Sequence, residues 1–268
     1  MNNEKFSFSK LETYNNCKRL YYYNYILKER SGENIYSYCG SCCHELTQAI
    51  IQEQETNESA LQKFLEAVDD ADMLGLDWIS ENVKNNYVEC ITHFFENYTP
   101  FRNDTIRIED YFEIDINGVI LRGYIDLWYR IGNDIYIIDL KTSSKFSKKD
   151  LPKKSRQLII YAIALKEKYP EYNIILQFNM MKYALNKRGT LKERNKFDLF
   201  DDFEDAIVVV DVTEESINET REYVSNTVKE INSIDKEDIK NWTMDNDPKK
   251  DFFCKNLCSH RMKCLQFK

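Results

Sequence analysis

The sequence predicts an α/β protein whose core runs helix, three antiparallel strands, helix, strand, with a helical insertion over residues 54–100 and a cysteine-rich tail over 242–268. Three observations predict it. β-branched and aromatic runs lie in the middle of the chain, separated by turn-forming pairs. Apolar residues recur at helical spacing before and after them. Gly (7) and Pro (4) are scarce among 268 residues, which argues against collagen-like or long disordered stretches and against a loop-rich all-β design. With 43% hydrophobic and 31% charged residues and a mean hydropathy of −0.59, residues 1–268 read as one domain that needs no disulfide to fold.

The elements follow in order. Ser9 to about Lys28 reads as a helix, with Ser9 and Glu12 as a capping box, Leu11, Tyr14, Leu20 and Tyr21 among its apolar positions, and Gly32 as the stop. Further helices are expected over Gly40–Gln54, Ser59–Asp72 and Asp77–Tyr98. Arg107–Ile116, Val119–Tyr129 and Ile135–Leu140 form a three-strand meander, turned at Asn117-Gly118 and at Gly132, Asn133 and Asp134. A basic connection, Lys141–Arg156, leads to a helix carrying Gln157, Tyr161 and Leu165 that ends near Tyr169-Pro170. Asn173–Tyr183 alternates as a fourth strand, Ala206–Val212 reads as a fifth, and Glu214–Ile234 returns to helix. The tail from Trp242 holds three cysteines. No solenoid repeat is present.

No apolar run approaches a membrane span and Met1–Lys10 has no apolar h-region, so a cytoplasmic location is expected. Eight cysteines suggest a disulfide framework only in a short secreted chain; here they are expected reduced, and hence buried, reactive or metal-bound. The net charge of −8 argues at first sight against a nucleic-acid partner. Its distribution reverses that. Lys141–Arg156 carries +6 and Lys249–Lys268 carries +5, leaving −19 on the remaining 232 residues. Both basic stretches lie beside candidate sites and suit a phosphate backbone, although such runs are also ordinary solvated loops. Tyr21, Tyr22, Tyr23 and Tyr25 either stack on single-stranded bases or pack in a helical core.

Asp126 lies near the end of the second strand, and Asp139 and Lys141 sit two apart on the third, hence on one face. Two carboxylates and an ammonium gathered there suit a hard divalent ion that activates water and polarises a phosphoryl group, with Lys141 placing the water or neutralising developing charge. The plain alternative is an ion pair at a solvated strand end.

The run Gly123-Tyr124-Ile125-Asp126-Leu127, then Ile137-Ile138-Asp139-Leu140-Lys141-Thr142, then Gln157 and Tyr161, resembles the RecB-like branch of the PD-(D/E)xK nuclease superfamily. The resemblance covers Ser9 to Cys264. It implies a restriction-endonuclease-like αβββαβ core, Mg2+ or Mn2+ held by Asp126, Asp139 and the Leu140 position, a catalytic Lys141, and a Gln157–Tyr161 helix supporting site and DNA. Gly40–His44 (GSCCH) fits the family's Gly-x-x-x-His element and implies His44 as a further metal ligand. Asp126 follows Ile125 rather than Pro, and the acid of the D-x-K pair is Asp139 rather than Glu. Glu113, one strand earlier, reads as an ordinary strand residue rather than a water-mediated metal contact. His93 and His260 match no family position.

Cys254, Cys258 and Cys264 form C-x3-C-x5-C in the tail, and Cys17 lies on the first helix. Clustered thiolates call for zinc or an iron–sulfur centre, and zinc sites usually show two close pairs. One distant Cys plus three at the C-terminus resembles the iron–sulfur subset of this branch, the AddB-type subunits and CRISPR-associated RecB-like exonucleases. That implies a structural 4Fe–4S cluster, with zinc as the alternative, although the usual tail there is C-x2-C-x5-C. Cys39, Cys42, Cys43 and Cys90 read as small buried residues. The whole implies a metal-dependent exonuclease acting on single-stranded DNA or duplex ends in repair, recombination, phage DNA processing or CRISPR adaptation. No helicase motif is present, so unwinding would need a partner. A non-catalytic DNA-binding or assembly subunit of the same fold is the alternative.

Overall fold

The structure is a computed structural model that describes residues 4–29, 32–198, 201–244 and 250–265. The chain forms two compact units: one from residues 1–34, 111–125 and 213–268, the other from 35–110 and 126–212.

In the first unit, α1 (Phe8–Asn16) is capped by Ser7, whose hydroxyl accepts from the Lys10 amide at 3.2 Å. The sequence reading placed the cap at Ser9, but that side chain meets the Ser7 hydroxyl at 3.0 Å instead. Cys17 takes extended backbone (φ −161°) and ends the helix, so the single helix expected to Lys28 is broken. Asn15 and Asn16 precede the break; the Asn15 amide bonds the Leu11 carbonyl, the local competition that makes Asn a poor helix interior. A short α2 (Lys18–Tyr21) and a π-helical turn (Tyr22–Ile26) follow. α8 (Glu214–Ser233) opens with a capping box between Thr213 and Ser216 and packs against α1.

The aromatic residues after Cys17 fill this unit's core. Tyr21 and Tyr22 are buried around the fully buried Trp242, which stacks on Tyr21 at 5.5 Å, and Tyr23 is buried against Tyr22 and His260. They are core residues and not stacking surfaces for bases. Trp242→Ala is expected to cost about 3–5 kcal/mol. Chemical denaturation measures it; a loss under about 1 kcal/mol would show that the aromatic cluster does not hold the unit together.

Strands β1 (Arg107–Ile116) and β2 (Val119–Ile131) contribute residues to both units. Their turn is the type the Asn-Gly pair demands, with φ of 53° at Asn117 and 83° at Gly118. β3 (Asp134–Lys141) pairs antiparallel with β2 through Leu127↔Ile138 to Ile131↔Asp134. β4 (Asn173–Asn186) lies parallel to β3, because α7 (Arg156–Lys168) carries the chain back between them. β5 (Leu191–Glu193), too short to read from sequence, and β6 (Phe203–Val210) both pair antiparallel with β4.

In the second unit, α7 buries every residue from Leu158 to Leu165 and packs on β3 and β4. Such an all-round apolar helix must be enclosed. The helices α3 (Ile35–Ile51), α4 (Asn57–Met73) and α5 (Glu81–Asn97) form an apolar cluster with Leu140 and Met181. Leu140 thus faces these helices while Asp139 and Lys141 point the other way. α3 begins at Ile35, five residues before the expected start, because Ile35 and Cys39 extend its buried face. A short α6 (Leu151–Lys154) interrupts the basic connection.

Candidate active site

Every residue of the expected nuclease site lies in the second unit. Asp139, third from the β3 end, is 1% exposed, and neither carboxylate oxygen has a hydrogen-bond partner. Lys141 Nζ stands 2.7 Å from Asp139 Oδ2 as an ion pair without hydrogen-bond alignment. A buried carboxylate left without hydrogen bonds is costly, and its exposed lone pairs are what a cation needs.

Asp126 on β2 titrates high, its pKa raised to about 7, first by burial and then by the negative charge of Asp139. Burial also lowers the pKa of His44 on α3, opposed by Asp139, so the imidazole is neutral and its lone pair available. The ring of His44 also bonds the Leu140 main chain, while the Leu140 side chain stays in the core. Gly40 explains how α3 comes so near: a Cβ there would lie 3.3 Å from Thr142 Oγ1, just past Lys141. Four residues on, one turn along the same face, stands His44.

On α7, Gln157 Nε2 donates to Tyr161 Oη at 2.7 Å. The Tyr161 phenol is held protonated, its pKa raised by burial and by the charge of Asp126, with Asp139 and Glu109 adding to it.

Glu109 was missed by the sequence reading, which considered Glu113 for this role. Its charge acts on His44, Asp126 and Tyr161. Gln48 Nε2 donates to Glu109 Oε1 at 3.0 Å, and Glu109 itself has φ 50°, an irregularity in β1 that simple alternation cannot foresee. Glu113 belongs to the first unit, where Lys5 and the Tyr111 hydroxyl bind it. His93 sits beside Arg194 and against Phe203, a packing role.

Cys17, Cys254, Cys258 and Cys264 all lie in the first unit. Burial first, with the charges of Cys264, Cys17 and Cys254 adding to it, pushes the Cys258 thiol up to about 11. Cys264 responds to Cys17 and Cys254 in the same way. The four therefore share one neighbourhood. His260 lies between two of them in sequence but bonds Asn24 Oδ1 at 2.9 Å and packs on Tyr23. Cys39, Cys43 and Cys90 are fully buried in the second unit, as small core residues, and Cys42 is half-buried. Among the described residues, no three His, Cys, Asp or Glu side chains stand in geometry to hold a single metal ion.

Of the basic stretches, Lys145, Lys148, Lys149, Lys153 and Lys154 are exposed. The tail's cations are more engaged: Lys250 bonds the Asn16 carbonyl, Lys255 pairs with Asp251 and Lys263 with Glu29. Lys249 and Lys268 lie outside the described residues.

The second unit thus gathers a buried carboxylate, Asp139, a half-buried one, Asp126, and Lys141 near a strand end, the arrangement the sequence reading expects of a nuclease. A family model of the PD-(D/E)XK nuclease superfamily matches residues 5–265, and the chain belongs to that superfamily. Its members are generally metal-dependent nucleases, using ions such as Mg2+ or Mn2+. No curated protein matches the chain. No helix among the described residues is long and apolar enough to cross a membrane.

Proposed function

We propose that this chain is a divalent-metal-dependent deoxyribonuclease of the RecB-like branch, acting as an exonuclease on DNA ends or single strands. The observation that carries the reading is Asp139: a buried carboxylate with two unbonded oxygens, a lysine beside it and a second desolvated acid, Asp126, acting on it.

By chemical type the donor set suits a hard ion, which would draw the side chains together. Asp126, Asp139, the neutral His44 and the Leu140 carbonyl would hold Mg2+ or Mn2+, which when bound polarises the phosphoryl group and lowers the pKa of its water. Lys141 orients the attacking water and offsets charge on the phosphate as it builds. Tyr161, locked by Gln157, keeps its proton and offers a hydrogen bond from the α7 side. Glu109 keeps the centre acidic and is itself steadied by Gln48. The exposed lysines between Lys145 and Lys154 neutralise the phosphate backbone.

The cysteines of the first unit support a structural 4Fe–4S cluster. Soft thiolates suit it, and a four-iron cluster takes one thiolate per iron, so its ligands need not converge on one point as those of zinc must. Cys17, Cys254 and Cys264 act electrostatically on Cys258, and Cys17 and Cys254 on Cys264, so the four thiols share the neighbourhood that such a centre needs.

The test is cleavage of end-labelled single-stranded and duplex DNA with Mg2+, with Mn2+ and with EDTA. Progressive shortening from an end, dependent on metal, is expected. Intact substrate under every condition overturns the nuclease reading, and internal fragments overturn the exonuclease part of it.

A further inference from the structure

Of the tyrosines that follow Cys17, Tyr21, Tyr22 and Tyr23 are buried and Tyr25 is half-buried, yet the first unit exposes two others. Tyr111 on β1 is 49% exposed and Tyr124 on β2 is 54% exposed; their rings meet edge to face at 5.5 Å. They are the tyrosines among the large apolar side chains that the described residues leave exposed. An aromatic ring left in water on a strand forgoes the stabilisation that burial provides, so a pair on neighbouring strands calls for an occupant.

The hairpin holds the pair firmly. On the reverse face the Phe112 ring lies so close to Gly123 that a Cβ there would meet it at 3.0 Å, so the ring covers the glycine across the two strands. The Tyr111 hydroxyl donates to Glu113 Oε2 at 2.8 Å, fixing the ring, and Lys5 pairs with the same carboxylate at 2.9 Å, cancelling its charge. Arg122 is exposed two residues before Tyr124, on the same side of β2 by strand alternation, and its charge acts on both Tyr111 and Glu113. The local balance of Lys5, Arg122 and Glu113 is positive.

We infer that Tyr111 and Tyr124 form a stacking platform for unpaired bases of single-stranded DNA, with Arg122 taking an adjacent phosphate. Open π-faces beside a guanidinium are what a flexible strand with stacking bases and a charged backbone recognises, and stacking of this kind tolerates any base. A duplex, whose bases are already stacked, gains nothing from the rings. The inference rests on the nuclease reading for its choice of DNA, and makes single strands the preferred substrate.

Anisotropy of fluorescein-labelled oligo-dT in EDTA, which permits binding without cleavage, tests it on the full chain. The paired substitution Tyr111→Ala with Tyr124→Ala is expected to weaken oligo-dT binding about tenfold or more, while Tyr111→Phe with Tyr124→Phe stays within about twofold, since the rings remain. Arg122→Ala is expected to lower the salt dependence by about 0.7 in log–log slope. Unchanged affinity in the paired alanine variant, or no oligo-dT binding by the wild type, overturns the platform. Cleavage is scored separately on the same preparations with blunt duplex and Mg2+. A wild type that binds oligo-dT through these rings but cleaves nothing refutes the nuclease reading and leaves the platform standing; one that cleaves duplex ends yet binds oligo-dT alike in all forms refutes the platform alone.

Discussion

Asp139→Asn is expected to abolish metal-dependent cleavage, a loss of about a thousandfold or more, while leaving the metal-free protein as stable as the wild type or more so. The two effects have one cause. The wild-type carboxylate is buried, makes no hydrogen bond and repels Asp126, so without a bound metal ion Lys141 alone offsets its charge. Asparagine removes that charge and, with it, the main anionic donor. Lys141, about a quarter exposed, can turn to solvent when its partner is neutralised. Thermal melts with and without Mg2+ make the prediction sharp. The ion should stabilise the wild type by about 2.7 kcal/mol at a hundred times its Kd, and the variant by far less. Lys141→Ala should lose cleavage by about a hundred- to a thousandfold yet keep the Mg2+ stabilisation, because it acts on the water and phosphate rather than on the ion. Glu109→Gln should fall between wild type and these variants. Full activity in Asp139→Asn or in Lys141→Ala would remove the substituted residue from the chemistry, and full activity in both would overturn the site.

The Asp139–Lys141 face was legible because strand alternation is a strong local rule, and β3 obeys it: Leu140 enters the helical cluster and its neighbours do not. The Gly40–His44 spacing was legible only through family resemblance. Its physical reason, the close approach of Thr142 that a Cβ at Gly40 would crowd, joins residues far apart in the chain and leaves no local trace. Glu109 was hidden by its left-handed backbone, which breaks the alternation that made Glu113 look equivalent. The break at Cys17 was hidden for the opposite reason: apolar spacing runs through it, so Leu11, Tyr14 and Tyr21 read as one helical stripe although the backbone turns between them. The buried tyrosines around Trp242 show why an aromatic run cannot be assigned to ligand or core from spacing alone. Their partner lies more than two hundred residues away.

Cys17→Ser or Cys258→Ser is expected to eliminate bound iron and inorganic sulfide and to destabilise the protein severely, whereas Cys90→Ser should retain the iron at a modest cost in stability. Beyond the buried Trp242 at its start, the His260 ring on Tyr23 and the Lys263–Glu29 pair, the described part of the tail has little to hold it otherwise. Its described helical pieces, the π-helical turn Phe253–Leu257 and α9 (Arg261–Leu265), are a turn or so each, far below the length at which an isolated helix persists. What returns it to the N-terminal segment is a handful of polar contacts: Arg19 Nε to the Trp242 carbonyl at 2.6 Å, Lys250 to the Asn16 carbonyl, Asn34 to the Leu257 carbonyl, and His260 with Asn24. Bonds of this kind contribute about 1 kcal/mol each at best. A crosslink from Cys17 to the tail closes nearly the whole chain, and removing so long a loop from the unfolded state stabilises by about 5 kcal/mol in the chain-entropy treatment. Losing it should lower the melting temperature by roughly ten degrees or more for a chain of this size. Iron, sulfide, zinc and visible absorbance of anaerobically purified protein decide the identity of the crosslink. Zinc without sulfide replaces the cluster with a zinc staple, and wild-type stability in Cys17→Ser removes any crosslink at all. Cys90 separates the two roles of cysteine, since it is fully buried but lies in the unit that carries Asp139, so only packing should suffer there.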